Sequence, residues 1–110
     1  MKQYVIDQLR ESDYFKILDF MKENAEAGAF DDVFWVMIPE ELYTTLQQEH
    51  AECRPFCFAV NVTRNQAEFE LLIRSRNAIR CSCIGFADRK QRDYILDYAD
   101  SMLKKLEIKI

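Results

Sequence analysis

Glycine and proline are scarce, with two of each among 110 residues, and there is one tryptophan and one histidine. So little glycine and proline excludes a collagen-like or low-complexity chain, and 49% hydrophobic residues excludes intrinsic disorder. Long apolar runs are missing too. The longest, Val33–Ile38, is six residues, far below the roughly 20 that a membrane-spanning helix needs. Residues 1–7 hold no apolar signal core. With only four cysteines, the reading is a cytoplasmic protein with reduced thiols. A chain of this length buries roughly two thirds of its unfolded surface, so one domain spanning 1–110 folds without a metal or disulfide.

The net charge is −4, unevenly spread. Residues 1–52 carry twelve acids against four bases, a net −8, while residues 53–110 carry seven against eleven, a net +4. An acidic half beside a basic half favours self-association and makes nucleic acid an unlikely partner.

The strongest pattern lies between residues 55 and 86. Phe56, Phe58, Val60 and Val62 alternate with Cys57, Ala59, Asn61 and Thr63, the mark of a half-buried strand. Ala67, Phe69, Leu71 and Ile73 do the same over Gln66–Arg74. A two-residue turn at Arg64-Asn65 sets Val62 against Ala67, Val60 against Phe69, Phe58 against Leu71 and Phe56 against Ile73. A slip of one residue would set this apolar row against glutamates. A third strand over Ala78–Phe86, joined by a three-residue loop Ser75–Asn77, pairs Ile73 with Ile79, Leu71 with Cys81 and Phe69 with Cys83. That loop asks for a positive φ at Asn77. Cys81 and Cys83 then face the core as small fillers. The other face is mixed: Cys57, Ala59, Asn61, Glu68, Glu70, Leu72, Arg80, Ser82 and Ile84.

Around this meander, Tyr4–Leu9 reads as a strand. A helix follows, capped at Ser12-Asp13 and ended by Gly28. Val33–Ile38, apolar on both sides, reads as a central strand. Pro39–Gln48 reads as a short helix with Leu42 and Leu46 inward. Asp88 and Gln91 form a capping box for a final helix over about 88–105, on which Ile95, Ala99, Met102 and Leu106 share a face. Residues 106–110 alternate and add an edge strand. The fold class is α+β: a mostly antiparallel sheet with a meander (about 55–86), an apolar central strand (33–38) and a long C-terminal helix.

Three chemistries compete on this frame. The first is self-association as a homodimer through apolar area on the second sheet face, without catalysis. The second is an anion site of Arg76, Arg80, Arg89, Lys90 and Arg92 around the start of the last helix. The third is metal or thiol chemistry. With Cys81 and Cys83 inward, a four-ligand site is ruled out, and the expectation is no metal and no cofactor. A smaller His50, Cys53 and Cys57 site is the remaining metal alternative. A catalytic centre finds no support: Glu68 and Glu70 read as partners of Arg80, and the only histidine has no nucleophile fixed by spacing. Basic residues interleaved with outward aromatics, as on RNA-binding sheets, are absent.

Overall fold

The first two alternating segments, 55–63 and 66–74, become strands, and their inward rows join the core. The computed structural model describes residues 2–109. In chain order it holds β1 (Gln3–Ile6), α1 (Glu11–Asn24), β2 (Glu26–Ala27), β3 (Val33–Met37) and α2 (Thr45–Glu49). Then come β4 (Phe56–Val62), β5 (Ala67–Glu70), β6 (Leu72–Ser75), β7 (Gly85–Phe86) and α3 (Arg89–Lys105). Short 3-10 turns cover Glu40–Leu42 and Ala51–Cys53. The strands pair antiparallel in the order β1-β5-β4-β3-β2, while β6 pairs with the other end of β4 and with β7. The architecture is α+β.

The first hairpin has the register its alternation predicts. Val60 pairs with Phe69 and Val62 with Ala67, and Thr63 N–H donates to the Gln66 carbonyl at 2.8 Å across the turn. Phe58, Val60, Ala67 and Phe69 are fully buried, and Glu68 lies on the opposite face beside Asn61. Beyond Glu70 the register changes. Cys57 pairs with Arg74 and Phe56 with Ser75, so two extra residues enter on the β5–β6 side. They form a bulge at Leu71, whose N–H donates to Lys2 O and whose carbonyl accepts from Ala87 N–H. An insertion of two keeps side-chain parity, so Ile73 still faces the core, fully buried. The expected partners Leu71 for Phe58 and Ile73 for Phe56 are thus replaced.

The expected third strand over Ala78–Phe86 does not form. Residues 76–84 are a loop, and only Gly85–Phe86 pairs, with Ile73 and Leu72. Ile79 is 94% exposed rather than opposite Ile73. Asn77 is not among the positive-φ residues, which are Gln8 and Glu107. The inward row, Ile79, Cys81 and Cys83, holds one large apolar side chain and two small thiols, too little burial to keep it paired.

Both long helices cover the inward face. Ile17 and Met21 of α1, and Ile95, Ala99 and Met102 of α3, are buried in one cluster with the strand residues. Tyr98 stands edge-on to Phe58 with ring centroids 5.8 Å apart. Several boundaries differ from expectation. Helix α1 starts after Arg10, and Asp13, nearly buried, accepts from the Arg10 backbone and guanidinium. It stops at Asn24. Gly28 instead lies between β2 and β3, its N–H donating to Val33 O at 2.8 Å, where an added Cβ would also sit 2.8 Å from that oxygen. The Pro39–Gln48 helix breaks into a 3-10 turn and α2, because Thr44 makes its own capping box with Gln47. Tyr43 and Gln47 turn inward and Leu46 stays out. Strand β3 alternates: Phe34 and Val36 are buried, while Val33, Trp35 and Met37 lie half-exposed on the outer face. After Lys105 the chain turns at Leu106-Glu107, with no strand among the described residues there. The capping box at Asp88 and Gln91 forms in full.

Candidate functional site

The sharpest chemical feature lies where the segment after α2 meets the loop after β6. His50 closes α2 and opens the 3-10 turn that ends at Cys53. In such a turn residues three apart eclipse one another, so the His50-x2-Cys53 spacing puts imidazole and thiol on one side. From across the gap, Cys81 and Cys83 flank a tight turn in which Ile84 N–H donates to Cys81 O at 3.1 Å. The ligand atoms of His50, Cys53, Cys81 and Cys83 all lie within 4.8 Å of one another. His50 Nδ1 is 3.1 Å from Cys81 Sγ. No cysteine is in a disulfide.

Polar contacts fix both halves. Ser75 Oγ donates to Cys53 O and accepts from the N–H groups of Asn77 and Ala78 at 3.1 and 3.0 Å. The Asn77 side-chain amide donates to Arg54 O. The buried Gln47 donates to Cys83 O at 3.4 Å, and is held by Gln91, whose Nε2 donates to Gln47 Oε1 and Leu42 O, each at 2.9 Å. The capping box of α3 thereby reaches the cluster through two glutamines.

The three thiols differ. Hydrogen bonds to the Cys81 sulfur, the backbone N–H of Cys83 first and then the thiols of Cys83 and Cys53 and His50, lower its pKa to about 6. Burial pushes Cys83 up to about 12 and raises Cys53. The donor set is that of a closed, four-coordinate metal site.

This arrangement corrects the sequence reading of the cysteines. The exclusion of a four-ligand site rested on Cys81 and Cys83 pointing into the core from a strand, and that strand is absent. His50 and Cys53 do belong together, but Cys57 is elsewhere. It is fully buried in β4 on the outer face, its Sγ 3.7 Å from Arg74 O, and burial pushes its thiol up to about 11. The signal that would have found the cluster is the combination of H-x2-C with C-x-C, read without assuming the third strand.

The basic residues do not gather at one place. Arg76 pairs with Glu26 Oε1 at 2.5 Å and lies over the Trp35 ring, 5.1 Å from its centroid. Arg89 and Lys90 line a separate cleft with Glu41, Thr44 and Asp88, and Asp88 caps the helix itself. Arg80 and Arg92 are exposed. Glu70 pairs with Arg74 at 2.6 Å, not with Arg80.

The outer face of the sheet carries these ion pairs together with Trp35, Ala59, Leu72 and Phe86. A cleft of about 230 Å³ is lined by Trp35, Arg74, Arg76, Ile79 and Ile84, so the cysteine-bearing loop forms one of its walls. No helix of the described residues is long and apolar enough to cross a membrane. No protein family model, curated protein or solved structure matches this chain.

Proposed function

We propose that this protein is a non-enzymatic interaction module that associates with a second copy of itself through the outer face of its sheet. The observation that carries this reading is the pairing of projecting apolar groups with a cleft whose lining mixes Trp35, Ile79 and Ile84 with Arg74 and Arg76. Ile79 is 94% and Phe86 57% exposed, beside the cleft over Trp35. A surface holding both a knob and a hole is self-complementary under a two-fold axis, the commonest oligomer symmetry. A standard interface removes about 800 Å² per partner, roughly one-ninth of the 6894 Å² surface of this chain.

Light scattering on a size-exclusion column across a dilution series tests this. The expected result is twice the 13.1 kDa chain mass at micromolar concentration, reverting to monomer in Ile79→Asp with an unchanged circular dichroism spectrum. A wild-type monomer throughout the series contradicts it. Anion binding by Arg76, Arg80, Arg89, Lys90 and Arg92 draws less support, since only Arg89 and Lys90 share a cleft and Glu41 and Asp88 line it with them. Thermal stabilisation by inorganic phosphate, abolished in the double variant Arg89→Ala/Lys90→Ala, would favour that reading instead.

A further inference from the structure

The loop of residues 76–84 poses a packing problem. Only one of its side chains, Cys83, is fully buried, and Asn77, Ile79, Arg80 and Ser82 are exposed. Apolar burial holding it is thin: beyond Cys83, only Ala78, Cys81 and Ile84 pack against the core, each partly buried. Yet it adopts a defined turn that brings two thiols to a third thiol and the only histidine of the chain.

We propose that His50, Cys53, Cys81 and Cys83 bind one zinc ion, and that the ion is structural. Three sulfurs and one imidazole nitrogen are the donors of a tetrahedral zinc centre, and four protein ligands leave no open position for substrate. Zinc–sulfur bonds of about 2.3 Å and zinc–nitrogen bonds of about 2.0 Å place tetrahedral ligand atoms about 3.5–3.8 Å apart. The 4.8 Å spread of the four atoms closes to that by small side-chain rotations about a common centre. Soft thiolates with an imidazole select zinc over magnesium, calcium or manganese. Binding transfers no electrons. The ion displaces the thiol protons, which pass to solvent, and takes the lone pair of the neutral imidazole.

The surroundings fit a structural centre. Gln47 on the Cys83 carbonyl, Ser75 on the Cys53 carbonyl and Asn77 on the neighbouring Arg54 carbonyl set the backbone from which the ligands project. Such outer contacts orient ligands and tune affinity. A core-filling role suits Cys83 but not Cys81, which is half-exposed on a loop. A lone Cys81–His50 nucleophilic pair would leave the convergence of Cys53 and Cys83 without a role.

Elemental analysis of protein purified without a metal-affinity tag tests the site. The expected result is one zinc per chain, retained by Cys57→Ser. In competition with a chromophoric chelator, Cys81→Ser, Cys83→Ser and His50→Ala should each lose about tenfold or more in zinc affinity. Should these variants unfold, wild-type protein stripped by chelator and refilled with cobalt(II) is the second measurement. Tetrahedral ligand-field bands with sulfur-to-cobalt charge transfer are expected. Zinc far below one per chain together with no cobalt spectrum overturns the proposal. So does an iron–sulfur absorption spectrum, or full zinc retention by both Cys81→Ser and Cys83→Ser.

Discussion

The β4–β5 hairpin and the loop after β6 are neighbouring parts of one fold, held by different forces. In the hairpin, Phe58, Val60, Ala67 and Phe69 are fully buried under α1 and α3. Val60 stands opposite Phe69 and Val62 opposite Ala67, while Phe58 pairs with Val36 of β3. In the loop, one thiol is buried, Ala78, Cys81 and Ile84 pack only partly buried against the core, Arg76 pairs with Glu26 over Trp35, and the other contacts are hydrogen bonds and the His/Cys cluster. The hairpin would keep its shape through a loss of polar contacts, while the loop would not survive the loss of its four converging ligands. Local stability therefore has two sources, and each can be removed separately.

The largest expected effect lies on the hairpin side. Phe69→Ala opens a void at a fully buried ring and should cost roughly 3–5 kcal/mol, read from the urea unfolding midpoint. That is a large share of the stability of a protein this size. A loss below about 1 kcal/mol would mean that the hairpin core is not the main source of stability.

The next effect falls on the connection between the two regions. Gln91→Ala removes the donor to Leu42 O and Gln47 Oε1, leaving Gln47 Oε1 with Thr44 N–H, and removes the acceptor of Asp88 N–H in the capping box, at about 1–3 kcal/mol. The same variant should bind zinc more weakly, since Gln47 loses its support. Unchanged zinc affinity would separate the glutamine pair from the cluster.

A pH titration probes the start of α1, which meets the β4–β5 turn through the Glu11–Arg64 pair. Hydrogen bonds from Arg10, opposed by burial, hold the Asp13 carboxyl below its ordinary value. A depressed folded-state value stabilises above the unfolded value of about 3.9 and is lost as pH falls through the folded value. As pH falls from about 5 through the unfolded value and on through the lower folded one, wild type should therefore lose stability relative to Asp13→Asn; parallel curves would contradict this assignment. The smallest effect belongs to the outer face. Glu68, hydrogen-bonded to Asn61 and Gln66, should be replaceable by Ala within about 0.5 kcal/mol.

The same division explains what could be read from the residues alone. Where apolar groups alternate densely, the face follows over all of Phe56–Val62, and the register follows at Val60–Val62 and Ala67–Phe69, because a slip of one exposes the whole row. The Asp88–Gln91 capping box was legible for an equally local reason: two side chains three residues apart satisfy two backbone donors. The Leu71 bulge was not, because its groups are satisfied by Lys2 and Ala87 from strands distant in sequence. The cluster was hidden by a weak pattern. Ile79, Cys81 and Cys83 alternate, but two of the three are small thiols, and such a row offers little burial to hold a strand. Read for ligand chemistry, the H-x2-C and C-x-C pairs needed only to be brought together, and nothing in their spacing shows that the two pairs, with 27 residues between them, meet on facing turns. Leu46 and Gln47 show the same limit, since buried hydrogen bonds from Gln91 and to Cys83 outweighed the apolar preference of the helix face.

Hydrogen exchange, compared between zinc-replete and chelator-stripped protein, tests the two-source account most directly. Stripping should speed exchange across residues 76–86 and 50–54 by about tenfold or more, while amides of Phe58, Val60 and Phe69 keep their protection. Loss of protection throughout the sheet, or none in the 76–86 loop, would contradict it.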